Sequence, residues 1–140
     1  MIIKECRRGE ALNSSKAVAD LLSGILNMES EIDRDKEHMW IVGVNAKNRV
    51  LFVDLCSLGT LTNSPIHPRE VFRLAVNRGV ASIIAGHNHP SGDPAPSRDD
   101  IAVTKRLKDA GEILGIQLLD HVVIGNETGQ FYSFREQGVI

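Results

Sequence analysis

Apolar residues recur along this chain in two patterns, helical spacing and short near-continuous runs, and the two alternate from one end to the other. Val18, Leu21, Leu22, Ile25 and Leu26 share a helical face behind Ser14 and Ser15, either of which can cap a helix that ends near Met28. The charged run ESEIDRDKE at 29–37 reads as a solvated segment leading to the next element. MWIVGVN and RVLFVDLCS are apolar runs parted by the polar turn Ala46, Lys47, Asn48, the pattern of a β-hairpin. From Ser64, SPIHPREVFRLAVNRG predicts a helix with Pro68 in its first turn, Val71, Phe72, Leu74 and Ala75 on its apolar face, and Gly79 at its end. ASIIAG at 81–86 predicts a buried strand that delivers His87 at its end. Behind Ser97 another amphipathic helix carries Ile101, Val103, Leu107, Ala110 and Ile113 as far as Leu114, before Gly115. IQLLDHVVIG and FYSF flank the turn Asn126 to Gly129 as a second hairpin. The order α-ββ-α-β-α-ββ predicts an α/β fold, a single mixed β-sheet flanked by helices.

Size adds that one core is expected, since 140 residues of which 42% are hydrophobic bury one core comfortably and two poorly. Aromatics are only 4%, so Val, Ile and Leu must build that core. A net charge of −2 exerts no global pull toward nucleic acid or anionic membranes. Arg69, Arg73, Arg78, Lys105, Arg106 and Lys108 lie on predicted helices and read as solvated faces. Cys6 and Cys56 are too few and too far apart for a disulfide framework or a thiolate zinc site, and read as inert thiols. Met1 to Glu10 carries Lys4, Arg7 and Arg8 with no apolar run behind them, and no stretch is apolar enough to span a bilayer, so a cytoplasmic protein without membrane association is expected.

Chemistry concentrates in HNHPSGDPAPSRDD, His87 to Asp100. His87 and His89 alternate around Asn88, so in an extended segment both imidazoles leave the same face, and Ser97 and Asp100 follow a proline-stiffened loop. Two neutral imidazoles and one carboxylate suit a divalent ion such as zinc, with a fourth tetrahedral position left for water or substrate as in catalytic sites. A closed structural site would more often use thiolates, which this loop lacks. Ser97 and Asp100 also form a capping-box-like pair, Ser97 as N-cap and Asp100 in the dipole-favoured first turn, which accounts for both without a metal. Capping leaves His87, His89 and the prolines unaccounted for, and it is compatible with ligation, since a ligand on a capped helix start is well fixed. Asp99, one position off, is expected to point elsewhere.

The spacing H-x-H-x7-S-x2-D, filled by His87, His89, Ser97 and Asp100, resembles the JAMM metalloprotease motif of the MPN domain. The fuller string, with HPRE at 67–70 and LDHVVIG at 119–125, resembles the RadC family within it, over roughly residues 30–140. The resemblance implies an MPN/JAB fold similar to that of zinc-dependent deaminases. Residues 1–30 would then be an N-terminal segment with a packing helix and 31–140 the catalytic domain, one compact unit overall, in a short form without the helix-hairpin-helix region of fuller-length members. In the JAMM family a glutamate on the first strand is the general base, and the order of a glutamate, an apolar strand and then Asn48-Arg49-Val50 matches Glu37. The resemblance alone singles it out, because Glu29, Glu31, Asp33 and Asp35 stand close by.

The activity so implied is hydrolysis of a peptide or isopeptide bond in a peptide or protein substrate, using one Zn2+ or another divalent ion. His87, His89 and Asp100 would hold the ion, Glu37 would take a proton from water activated there, and Ser97 would donate its hydroxyl to the developing oxyanion. One alternative is a nucleic-acid or DNA-repair role, for which the chain lacks the expected basic footprint. Another is a metal-free MPN partner-binding module, against which every ligand position is filled. His67 stands at a helix start, where it bonds nearby backbone or faces the cleft. Asp120 and His121 fall mid-strand, where burial demands partners, either as supports of the site or as a satisfied core pair.

Overall fold

Strand alternation sorts the apolar residues onto two faces of one sheet. In the computed structural model, which describes residues 8–59 and 66–140, the elements are α1 (Ser15–Asn27), α2 (Glu31–Arg34), β1 (Glu37–Val44), β2 (Val50–Gly59), α3 (Pro68–Val71), α4 (Arg73–Arg78), β3 (Ser82–His89), α5 (Arg98–Leu114), β4 (Gln117–Gly125) and β5 (Phe131–Ser133). Five strands form a sheet in the order β2-β1-β3-β4-β5. It is mixed: β1 runs antiparallel to β2 and β3, β3 and β4 run parallel, and β5 returns antiparallel to β4. The parallel pair requires a crossover, and α5 supplies it.

One sheet face carries Trp40, Val42, Val44, Val53, Ile84, Val122 and Ile124 against the α1 residues Val18, Leu21, Leu22, Ile25 and Leu26. The other carries Met39, Ile41, Phe52, Ile83, Ala85 and Leu118 against Val71, Phe72, Ala75 and the α5 residue Leu107. Helices therefore cover both faces, the α/β arrangement expected. Each fully buried Leu, Ile or Val contributes roughly 1.5–3 kcal/mol, and Leu21, Leu22, Ile41, Val42, Ile83 and Leu107 all have no exposed surface. Among the described residues no helix is long and apolar enough to cross a membrane.

The structure departs from the sequence reading at three places. Residues 31–34 of the charged link form a short helix capped by Ser30, whose side chain accepts the Asp33 N–H. The helix predicted from Pro68 to Gly79 is broken at Phe72, which closes α3 and opens α4; Ser64, where the stretch quoted for it begins, lies outside the described residues, as does Cys6. The strand predicted to end at 86 continues through His89, so both histidines are strand residues. All six helical cations named above are exposed, and Arg78 lies over the Phe52 ring at 5.6 Å.

The loop after His89 is seated on the turn after β4. Gly92 N–H and Asn126 N–H both donate to the His89 carbonyl, at 3.0 and 3.1 Å, and Thr128 Oγ1 donates to the Gly92 carbonyl at 3.2 Å. A Cβ at Gly125 would collide with that Gly92 carbonyl. Gly125→Ala should therefore push the loop away from β4 and cost ~1–3 kcal/mol, seen as a lower urea midpoint with an unchanged slope. An unchanged midpoint would mean that the loop yields freely.

Candidate metal centre

The carboxyl end of β3 and the N-terminus of α5 meet at one side of the sheet, the crevice position where α/β folds assemble their chemistry. His87 and His89 project from β3 toward α5, and Asp100 enters from its first turn. His87 Nε2 and His89 Nε2 are 3.0 Å apart, and they lie 3.3 and 3.2 Å from Asp100 Oδ2. Nitrogen and oxygen ligands about 2.0–2.1 Å from a tetrahedral zinc ion stand about 3.3–3.4 Å from one another, so the three atoms form a triangle of nearly that size. These three residues could hold a metal ion through one ligand atom each.

The protonation of the rings follows from their partners. Thr104 on α5 donates its hydroxyl to the Asp100 carbonyl at 2.7 Å, so Thr104 Oγ1 must accept the Nδ1–H of His121, 2.6 Å away. His121 is fully buried, and desolvation followed by the neighbouring His87 holds its imidazolium well below the ordinary range. Neutral, with hydrogen on Nδ1, it presents a bare Nε2 to His87 Nδ1 at 2.7 Å. His87 Nδ1 is thus the donor, and the lone pair of its Nε2 faces the site. His89 Nδ1 donates to the Asp93 carbonyl at 2.8 Å, which leaves its Nε2 bare as well. Two lone pairs and a carboxylate oxygen within 3.3 Å repel one another unless a cation lies among them.

Without another cation the cluster keeps a proton. The hydrogen bond to Asp100 raises the His89 imidazole above its ordinary range. Burial acts to raise the Asp100 carboxyl, but the imidazoles of His87 and His89 beside it outweigh burial and hold that carboxyl well below the usual carboxylate range. Asp100 is fixed by the capping box: it accepts the Ser97 N–H at 2.9 Å, and its own N–H donates to Ser97 Oγ at 3.0 Å. Both roles foreseen for Asp100, cap partner and cluster member, therefore coexist.

A cleft of about 1100 Å3 opens over the cluster, and Glu37 and Ser97 line it with His87, His89 and Asp100. Glu37 is the first residue of β1, and its charge helps to raise His89. Asp99 also lines the cleft, contrary to the expectation that it points away, although it is not part of the triangle. His67 stays at the start of α3, where its carbonyl accepts from Glu70 and Val71 while its side chain makes no capping bond. Asp120 and His121 part company: His121 backs the site, whereas Asp120 accepts from Ser133 Oγ and from the His121 and Arg135 amides as a satisfied core carboxylate. Burial and then Asp54 push the Cys56 thiol up to about 11, in keeping with an inert cysteine.

Sequence reasoning missed Thr104 and Asn88. Thr104 stands one helical turn beyond Asp100, a spacing that could have flagged it. Asn88, between the histidines, projects from the opposite sheet face and is fully buried.

A family model described as a RadC-like JAB domain matches residues 12–139. The chain is 51% identical to a UPF0758 protein of Desulforamulus reducens over 115 residues, which are 82% of this chain and 50% of the relative. It is 46% identical to one of Desulforudis audaxviator over 137 residues, 96% of this chain and 56% of the relative. A third, from Caldanaerobacter subterraneus, is 51% identical over 113 residues, 81% and 48% of the two chains. The chain thus spans about half the length of the curated relatives it matches.

His121→Phe keeps the ring but leaves the His87 Nδ1–H without its acceptor. It should weaken zinc binding ~10–100-fold against a competing chelator, and an unchanged affinity would remove His121 from the site. In metal-free protein the His89 contribution to stability is full below about pH 6.5 and fades as pH rises through its raised folded value. The Asp100 contribution is full above about pH 3.9 and fades as pH falls through its lowered one. His121, with its lowered value, costs stability as pH falls below about 6.5, so urea unfolding across pH should show a maximum near pH 6.5. Zinc affinity should run the other way on the alkaline side, rising with pH as the His89 proton ceases to compete.

Proposed function

Because the chain belongs to the RadC-like JAB domain family, we propose that it is a metal-dependent hydrolase of peptide or isopeptide bonds, with Zn2+ as the leading ion. The observation that carries this reading is the triangle of two imidazole nitrogens and one carboxylate oxygen on a cleft that Glu37 also lines. His87, His89 and Asp100 would hold the ion, and their donor set fits it in element, charge and spacing. A divalent ion bound there supplies Lewis acidity and a water of lowered pKa.

The protein's own groups do the rest. Glu37 accepts a proton from water in the cleft and returns it to the leaving amine. Ser97 keeps its hydroxyl proton, because its oxygen is the acceptor in the capping box, and that proton is available to a developing oxyanion. Met39, Ile66 and Val103 give the cleft an apolar wall for peptide side chains, which supports a peptide or protein as the substrate. Asp35, Glu37, Asp99 and Asp100 outnumber Lys36 along the same cleft, and such a lining opposes a phosphodiester backbone.

The test is metal content combined with turnover of fluorogenic peptide and isopeptide libraries. Wild type should bind one divalent ion, and His87→Ala or Asp100→Ala should lose it while Asp99→Ala keeps it. Glu37→Gln should retain the metal and lose ~10²–10⁴ of the hydrolytic rate. Equal metal in all variants would refute the ligand set, and full activity in Glu37→Gln would refute the base.

A further inference from the structure

Main-chain pairing between β1 and β3 runs from Val44↔Ser82 to Met39↔His87. Had it continued, His38 would face Asn88 and Glu37 would face His89. A side chain takes over at that point instead. Asn88 Oδ1 accepts the His38 N–H at 2.7 Å, and Asn88 Nδ2 donates to the Lys36 carbonyl at 3.1 Å. The two main-chain groups that flank Glu37 are therefore both held by one carboxamide.

That carboxamide is itself fully committed. Its second Nδ2 hydrogen goes to Asn126 Oδ1 at 2.9 Å, and Asn126 Nδ2 donates to the Arg34 carbonyl at 2.7 Å. Its oxygen also receives the Nδ1–H of His38 at 3.2 Å, and the same Nδ1 lies 2.9 Å from the Lys36 carbonyl. Two acceptors face Nδ2 and donors face Oδ1, so the amide has one orientation. Asn88 has no exposed surface, and a buried polar group with every bond made resists displacement. Strand alternation adds the decisive link: the residues on either side of Asn88 are His87 and His89, which point into the cleft because Asn88 points away from it.

We infer that Asn88 is a positioning residue that fixes Glu37 relative to the two histidines. The inference rests on the proposed role of Glu37 as base, and it deepens that role by naming what places the carboxylate. Any displacement of β3 carries the histidines and, through Asn88, the backbone on both sides of Glu37 together. The distance between ligands and base is thus set across the sheet by one side chain rather than by the β1–β3 ladder, which has ended.

Asn88→Ala in the zinc-loaded protein should accelerate amide hydrogen exchange at His38 at least tenfold and shift the carboxylate carbon resonance of Glu37. Zinc content should stay at wild type. These readouts need no substrate, so they stand even if no peptide or isopeptide is hydrolysed, which would sink the proposed function alone. On any peptide that wild type cleaves, kcat should fall ten- to a hundredfold with KM little changed. Introduced into Glu37→Gln, Asn88→Ala should cost less than a further twofold, because it acts through the missing carboxylate. Unchanged His38 exchange and Glu37 resonance, zinc loss in parallel with rate, or additive losses in the double variant would each overturn the inference. If Asn88→Ala fails to fold, Asn126→Ala removes the Arg34 link and one Asn88 partner, and the same readouts, smaller in size, decide.

Discussion

A single hydroxyl hydrogen on Thr104 governs the state of the site. Because it is spent on the Asp100 carbonyl, Thr104 can only accept from His121, His121 can only accept from His87, and His87 is left with its outer nitrogen bare. The chain runs from α5 through β4 to β3, and each step is buried, so water cannot scramble the tautomers. Phe134 stacks on His121 at 4.8 Å with its ring plane within 10°, which holds the middle link in place. The parallel pairing of β3 and β4 thereby does more than close the sheet: it sets two imidazoles diagonally across the strand pair, two positions out of register, close enough for a proton to lie between them.

The same helix completes the cluster. Asp100 closes the capping box of α5 and stands one turn before Thr104, so one stretch of helix fixes both the carboxylate and the tautomers of the rings it meets. A carboxylate held by a main-chain N–H keeps its orientation whatever cation occupies the triangle. Gly92 and Gly125 let the intervening loop lie flat against β4, which brings the end of β3 close to the start of α5.

Much of this was legible beforehand. Helical and strand periods gave the order of the principal elements because each buries one face, and the sheet is mixed and covered by helices on both sides. His87, His89 and Asp100 were legible because alternation on a strand and capping on a helix are local rules, and those rules converge within one loop. What escaped depended on register. Whether His121 or Asp120 faces the cleft cannot be read from one strand, since alternation says only that they differ. The length of β3 was missed because histidines at a strand end read as loop residues. The break at Phe72 was missed because its two short helices share one apolar face. Asn88 looked like a spacer because its partners lie on β1 and in the turn after β4, far away in sequence.

Glu37 and the ligands differ in how the chain must close to bring them together. His87, His89 and Asp100 fall within one short stretch, so joining them costs little loop-closure entropy, whereas Glu37 arrives only when the first hairpin docks along β3. A partly folded chain, or a nascent one whose first hairpin has not yet docked, could thus capture an ion without being able to use it. On the proposed hydrolase reading, reactivity would wait until the sheet is whole, and a half-made molecule would be spared from acting on its neighbours or on itself.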